Sequence, residues 1–122
     1  MKLKWTIVLF FLAVVASAKP AYAQCEHAGT TSDTFDCFDH DYKKADVELN
    51  RIYTLAFTGL DVKAAENLRK AQRAWIIYRD AQCEAEYNKW GGGSGGPAAH
   101  LACLLHLTQL RTRELHKTYP FR

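Results

Sequence analysis

The sequence has 122 residues, 24% of them charged, and a formal net charge of +3. Three of its sixteen basic residues, Lys2, Lys4 and Lys19, lie before residue 24, which leaves thirteen basic and thirteen acidic residues in the remainder. Nucleic-acid binding needs a net basic face, so this balance argues against that class of function. The segment from residue 24 onward is long enough for one domain with a modest core.

The first 23 residues have the layout of a secretory signal peptide. Lys2 and Lys4 precede an unbroken apolar run at residues 7–16, and Ala21-Tyr22-Ala23 supplies small residues in an A-x-A arrangement. Ala16-Ser17-Ala18 is a weaker second cleavage site. The run is shorter than the roughly 20 residues that span a bilayer as a helix. We therefore expect cleavage after Ala23 and a periplasmic or secreted protein.

Two amphipathic helical segments follow the leader, with no convincing strand. The first ends at Gly59, a residue that favours a left-handed turn after a helix. The second opens near Asp61, a good N-cap, and continues to Trp90. Their stripes at three- and four-residue steps are Phe35, Phe38, Tyr42, Ala45, Leu49, Ile52 and Ala56, and then Leu68, Ala71, Trp75, Tyr78 and Gln82.

A third helix follows a glycine-rich break at residues 91–96. Pro97 suits its first turn, and Pro120 lies beyond its end. Its stripe consists of Leu101, Leu104, Leu105, Thr108 and Leu115. The sequence therefore predicts an all-α protein with one domain at residues 24–122. We expect an antiparallel three-helix arrangement with a short N-terminal arm held by a disulfide.

Four cysteines remain after the leader, and an even number in an exported chain predicts two disulfides. If the first two helices fold back on each other, Cys37 and Cys83 lie at one level. This favours a Cys37–Cys83 bridge together with Cys25–Cys103. The pairing of Cys25 with Cys37 and Cys83 with Cys103 is nearly as plausible, and the sequence leaves the choice open.

A metal site is the alternative use of the same cysteines. Cys37-x-x-His40 and Cys103-x-x-His106 each place a thiol and an imidazole one helical turn apart, so together they offer a tetrahedral zinc or copper site. An oxidising compartment favours disulfides instead. We therefore expect no metal and no other cofactor.

Segments of the first two helices resemble a known family. These segments are Asp46-Val47-Glu48-Leu49-Asn50-x-x-Tyr53 and Leu68-Arg69-Lys70-Ala71-Gln72-Arg73-Ala74-Trp75-Ile76-Ile77-Tyr78-Arg79-Asp80-Ala81-Gln82-Cys83. The Gln-x-x-Trp and Tyr-Arg-Asp elements, in register with the cysteine, are similar to the signature of the LprI-like lysozyme inhibitor family. The resemblance extends to the early cysteines, the glycine-serine loop, Cys103 and Arg111.

The resemblance implies a function in inhibiting lysozyme. The namesake of the family is a lipoprotein, and lipid-modified bacterial cysteines follow a small residue at the cleavage point. Cys25 follows Gln24 here. We therefore expect a free protein without a membrane anchor.

The signature residues fall on facing stripes of two helices. Gln72, Trp75 and Arg79 share one face of the second helix because they are three and four residues apart. A partly buried Arg79 needs a carboxylate such as Asp46, since an unpaired buried charge costs several kcal/mol. We interpret the set as a polar seam that fixes helix register, and a binding surface is the alternative. The seam residues are Asp46, Leu49, Asn50, Tyr53, Gln72, Trp75, Arg79 and Asp80.

Two patterns that suggest catalysis have structural explanations. Residues 92–96 read G-x-S-x-G, but a nucleophile elbow needs an α/β sheet that this chain is too short to build. A flexible interhelix loop explains the glycines. Four aspartates lie near the start of the first helix: Asp33, Asp36, Asp39 and Asp41. Negative charge there complements the positive end of the helix dipole. We expect no enzymatic activity.

The sequence therefore predicts an exported, non-enzymatic inhibitor of lysozyme or a related cell-wall hydrolase. Lysozymes are often cationic and hold their carboxylates in an open cleft, so an acidic patch and a protruding loop suit an inhibitor. Asp36 and Asp39 in the acidic segment and Ser94 near the loop tip are the candidate contacts. The alternative is a small helical envelope protein that binds another protein partner or a metal without inhibiting an enzyme.

Overall fold

The computed structural model describes residues 25–119, which form three helices. They are α1 (Thr31–Thr58), α2 (Val62–Asn88) and α3 (Gly96–Thr118). The prediction of an all-α, antiparallel three-helix fold is confirmed, and residues 25–119 contain no strand. The predicted signal peptide at residues 1–23 lies outside the described residues.

Local sequence signals set where the helices begin. The Thr30 side chain accepts the Asp33 backbone N–H at 3.1 Å, while the Asp33 carboxylate accepts the Thr30 N–H at 3.0 Å, and the pair forms a capping box at α1. Asp61 caps α2 by accepting the N–H of Ala64 at 2.8 Å. Pro97 lies in the first turn of α3, as predicted.

The turn after α1 differs from the prediction. Gly59 ends the helix, but its φ of −84° is right-handed, so the predicted left-handed turn is wrong. The physical reason is that α2 is capped by Asp61, only two residues later, and the backbone N–H of Leu60 closes a tight turn on the carbonyl of Phe57 at 3.3 Å. The left-handed glycines of the described chain are Gly91 and Gly92, after α2.

Helix α3 packs along both other helices, whereas α1 and α2 contact each other much less. Two apolar clusters result. One surrounds the disulfides, and its buried members are Cys25, Phe38, Cys83, Ala98, Leu101, Ala102, Leu104 and Leu105. The other lies toward the α1–α2 turn, and its buried members are Leu49, Ile52, Ala56, Leu68 and Leu115.

Two disulfides are present, as predicted, but their connectivity is the alternative one. Cys25 is bonded to Cys37 and Cys83 to Cys103, so the favoured pairing of Cys37 with Cys83 and Cys25 with Cys103 is wrong. The favoured pairing requires α1 and α2 to be close neighbours at the level of Cys37 and Cys83. Because α3 packs along both, Cys83 faces Cys103 with a Cα–Cα distance of 5.4 Å, and Cys37 bonds the N-terminal arm.

Thr108 of α3 is fully buried, and its hydroxyl has no hydrogen-bond partner within residues 25–119. An unsatisfied buried hydroxyl costs free energy that a methyl group of similar size does not. We expect Thr108→Val to raise the free energy of unfolding by about 1 kcal/mol, measured by urea denaturation. In the control Thr112→Val, whose hydroxyl donates to the Thr108 carbonyl at 2.9 Å, no gain is expected. A loss of stability in Thr108→Val would contradict the prediction.

Candidate functional site

Arg79 is the centre of the signature seam. It lies on α2 with 9% of its surface exposed, and its Nε and Nη2 atoms contact Asp80 Oδ1 at 2.9 and 2.8 Å. Its Nη1 lies 3.6 Å from Asp46 Oδ1 on α1, the carboxylate that the sequence suggested as its partner. Both carboxylates remain partly solvated, with 42% of the Asp46 side chain and 56% of the Asp80 side chain exposed.

Two aromatic rings complete the surroundings of Arg79. Its guanidinium carbon lies 5.2 Å from the centre of the Trp75 ring and 5.8 Å from the centre of the Tyr42 ring, both within cation–π range. Burial raises the pKa of the Tyr42 phenol, and the positive charge of Arg79 opposes that shift. The sequence placed Tyr42 on the apolar stripe of α1 but gave no signal that it would contact this arginine.

Gln72 faces α3 rather than α1. Its Oε1 accepts the Nε–H of Arg111 at 3.0 Å, and both side chains are buried. Arg111 also donates from Nη1 to Glu114 at 2.8 Å. The sequence placed Gln72 and Arg79 on one face of α2, and the structure shows that Gln72 bonds α3 whereas Arg79 lies near Asp46 of α1.

The remaining seam residues pack locally. Asn50 donates from Nδ2 to Asp46 at 3.3 Å, and Leu49 is buried in the cluster near the α1–α2 turn. The ring of Tyr53 lies 5.8 Å from that of Phe57 on the same helix. The seam thus joins all three helices through internally partnered polar groups, and a role in fixing register stays a prediction.

The start of α1 and the α2–α3 connection lie at the same end of the bundle. Phe35 of α1 lines a shallow depression of about 270 Å³ together with Tyr87 of α2 and Pro97 of α3. We call this region, residues 31–41 and 89–95, the loop end. It contains all three inhibitor contacts proposed from sequence: Asp36, Asp39 and Ser94.

The aspartates at the loop end differ in how they are engaged. Asp33 belongs to the capping box, Asp39 pairs with Lys43, and Asp41 Oδ1 lies 3.2 Å from His40 Nδ1. Asp36 is exposed and has no polar partner in the part of the chain that the structure describes. Asp36 is therefore the carboxylate of this group that is most available to another molecule.

The α2–α3 connection is a turn shaped by glycine. Gly91 and Gly92 have φ values of +54° and +84°, which side chains other than glycine rarely adopt. Gly95 has a different role, because a Cβ there would overlap the ring of Trp90 unless the ring moved. Ser94 is exposed within this turn.

The alternative metal site does not form in the oxidised protein. Cys37 and Cys103 belong to separate disulfides, and His40 and His106 are exposed. A compact group of metal-ligand types lies elsewhere, where Cys25 Sγ, Cys37 Sγ and an Asp41 oxygen are all within 4.8 Å of one another. Cysteine binds a metal as a thiolate. The sulfurs of Cys25 and Cys37 are bonded to each other, so neither is a thiolate in the oxidised protein.

Comparison with known families identifies one family that covers most of the chain. A model of the family described as lysozyme inhibitor LprI matches residues 22–115, which include α1, α2 and most of α3. The chain belongs to the LprI lysozyme inhibitor family. The resemblance inferred from the two helical signature segments is thereby confirmed, and all four cysteines and the Gln72–Arg111 pair lie within the LprI match.

Curated relatives of this LprI-family chain include two uncharacterized proteins. One, from Rhizobium meliloti, is 41% identical over 113 residues, which cover 82% of this chain and 81% of that protein. The other, YecT from Escherichia coli, is 31% identical over 94 residues, which cover 65% of this chain and 58% of YecT. No solved structure matches the chain. None of the helices between residues 25 and 119 combines the length and apolar character that crossing a bilayer requires.

Proposed function

We propose that this LprI-family chain is an exported, non-enzymatic inhibitor that binds a lysozyme or a related cell-wall hydrolase through its loop end. The observation that carries the proposal is that the acidic start of α1 and the glycine-rich α2–α3 turn lie at the same end of the bundle. Family membership supports the inhibitory function. The two disulfides support export, because such bonds persist in oxidising compartments.

The charge at the loop end suits a cationic enzyme. Asp36 is exposed and unpaired with any other described residue, so its carboxylate is accessible to an approaching partner. Complementary charge raises the rate of diffusional encounter more than it raises the lifetime of a complex. The acidic segment would therefore steer the inhibitor onto a basic lysozyme surface.

The α2–α3 turn suits the contact itself. It is a short projection between two helix ends, and the Trp90 ring packs against Gly95 at its base. A braced projection loses little conformational entropy on binding, which favours a tighter complex. Ser94 is small and exposed, so the turn can approach the walls of an open cleft closely.

A lysis assay tests the proposed function. Purified residues 24–122, with both disulfides formed, are added to bacterial cell walls together with lysozymes of several types, and the loss of turbidity is followed. We expect at least one lysozyme to be slowed at micromolar inhibitor and low salt. If no lysozyme is slowed under these conditions, the inhibitor proposal is wrong for this chain.

Charge steering is tested by Asp36→Asn. We expect association with the inhibited lysozyme to slow about two- to fivefold at low salt, with dissociation unchanged, because one unpaired charge is removed. Surface plasmon resonance at several salt concentrations measures both rates. Glu66→Gln is the control for position, since Glu66 lies near the start of α2 at the opposite end of the bundle, where it pairs with Arg69 and Lys70. Equal effects of the two substitutions would refute steering by the loop end.

Contact by the turn is tested by Ser94→Trp. A bulky side chain at the turn should obstruct close packing and speed dissociation about tenfold, while the salt dependence of association stays that of the wild type. The same biosensor experiment separates this result from that of Asp36→Asn. An unchanged dissociation rate would show that the turn lies outside the interface.

A further inference from the structure

A second surface, separate from the acidic segment, runs between α2 and α3. It is a groove of about 830 Å³ whose lining comes from α2, α3 and Trp90, with no residue of α1. Its floor includes small residues of α3, Ala99, Ala102 and the half-buried Cys103. Because these side chains are short, they leave space between the two helices.

Two aromatic side chains mark the length of the groove. Tyr78 is 54% exposed and Trp90 is 52% exposed, and both line the groove. They are twelve residues apart, which corresponds to about 18 Å along a helix. The Trp90 ring packs against Gly95, where a Cβ would overlap it, and half of the Trp90 surface faces solvent.

The polar groups of the groove divide into engaged and free sets. Glu86 is the carboxylate of the lining, and it accepts hydrogen bonds from Gln82 at 3.3 Å and from Lys89 at 2.9 Å. The polar side chains that α3 contributes to the lining, by contrast, have no polar partner among residues 25–119. They are His106, Gln109 and Arg113. The free groups are hydrogen-bond donors, and one of them is permanently cationic.

We propose that the α2–α3 groove binds a glycan strand that carries carboxylate groups. Exposed aromatic faces pack against the apolar faces of sugar rings, side-chain amides bond sugar hydroxyls, and Arg113 complements a carboxylate. An amphipathic helix is a poorer occupant, because Leu107 is the one large aliphatic side chain of the lining. This proposal does not rest on lysozyme inhibition.

A binding titration with matched sugars tests the groove. The probes are soluble peptidoglycan glycan fragments freed of their peptides, which carry a carboxylate on every second sugar, and chitooligosaccharides of equal length, which carry none. Oligomers of uronic acid form a third probe and distinguish peptidoglycan from other acidic glycans as the source of the ligand. We expect an acidic probe to change tryptophan fluorescence and amide chemical shifts along α2 and α3, and chitooligosaccharides to bind at least about fivefold more weakly.

Substitutions locate the binding to the groove. Trp90→Ala and Tyr78→Ala should each weaken binding about tenfold, since stacking on an aromatic ring is lost. Gly95→Ala should do the same without removing an aromatic side chain, because the added Cβ displaces the Trp90 ring. Arg113→Gln should lower the affinity for the acidic probe to that for the uncharged chitooligosaccharide. Ile77→Ala is the control, because Ile77 is 72% exposed on α2 yet lies outside the groove.

Three results would overturn the proposal. The first is the absence of binding by every probe at millimolar concentration to protein that circular dichroism shows to be folded. The second is binding that Trp90→Ala, Tyr78→Ala and Gly95→Ala all leave unchanged. The third is a dimer in sedimentation experiments that Tyr78→Ala dissociates, which would assign the groove to a second copy of the chain. Because these assays contain no lysozyme, their outcome is independent of the inhibition assay.

Discussion

Replacing both Cys83 and Cys103 with alanine is expected to lower the free energy of unfolding by about 3 kcal/mol. The bridge joins α2 to α3 and closes a loop of 20 residues, so its removal restores conformational freedom to the unfolded chain. Both sulfur atoms also lie in the apolar cluster around Leu105, and their loss leaves unfilled space there. Urea denaturation followed by far-UV circular dichroism measures the effect.

The matched control is the double substitution of Cys25 and Cys37. That bridge closes only 12 residues and attaches the N-terminal arm to α1, so a smaller loss is expected. Thiol labelling of the purified wild type should find no free thiol before reduction and four after it. Free thiols accompanied by bound zinc would restore the metal hypothesis built on Cys37, His40, Cys103 and His106.

Replacing Arg79 with alanine is expected to lower the free energy of unfolding by about 2 kcal/mol. The change removes contacts with the rings of Tyr42 and Trp75, each worth up to about 1 to 2 kcal/mol when desolvated, and it removes the packing of the arginine stem. The carboxylates left behind are partly exposed, so the loss stays below the 3 to 5 kcal/mol typical of a broken buried ion pair.

Arg69→Ala is the control for this prediction. Arg69 lies on the same helix, is about half exposed, and pairs with Glu66 on the surface. Its loss should cost less than about 1 kcal/mol. Both variants should inhibit lysozyme normally at temperatures where they are folded. If folded Arg79→Ala protein failed to bind while Arg69→Ala protein bound, the seam would have to be treated as a binding surface.

The sequence identified the signature side chains without identifying all their partners. Arg79 and Asp46 could be paired because a helical stripe with a buried cation needs a carboxylate on the facing helix. Gln72 was assigned to the same face as Arg79, yet it bonds Arg111 on α3. Residues 72 and 79 lie on one broad side of α2, and only the packing of two neighbouring helices decides which part of that side each one contacts.

Sequence periodicity did not predict the groove between α2 and α3. Tyr78 follows the spacing of the apolar stripe of α2 but is 54% exposed, because the helix is rotated so that Arg79 and Cys83 face inward. Trp90 lies beyond the last turn of the helix, where spacing carries no information about burial. A large aromatic residue next to a glycine run is a weak sequence signal of a turn in which the ring packs on glycine.

The sequence by itself determined the number and order of the helices, and its local signals set where they begin. Capping at Thr30 and Asp61, the glycine break and Pro97 are local interactions within a few residues, and short-range chemistry decides them wherever the helix packs. Tertiary structure alone decided the disulfide connectivity, the α3 partner of Gln72 and the exposure of Tyr78. These depend on α3 packing along both α1 and α2, and that arrangement arises from burying three apolar stripes at once, which no single stripe specifies.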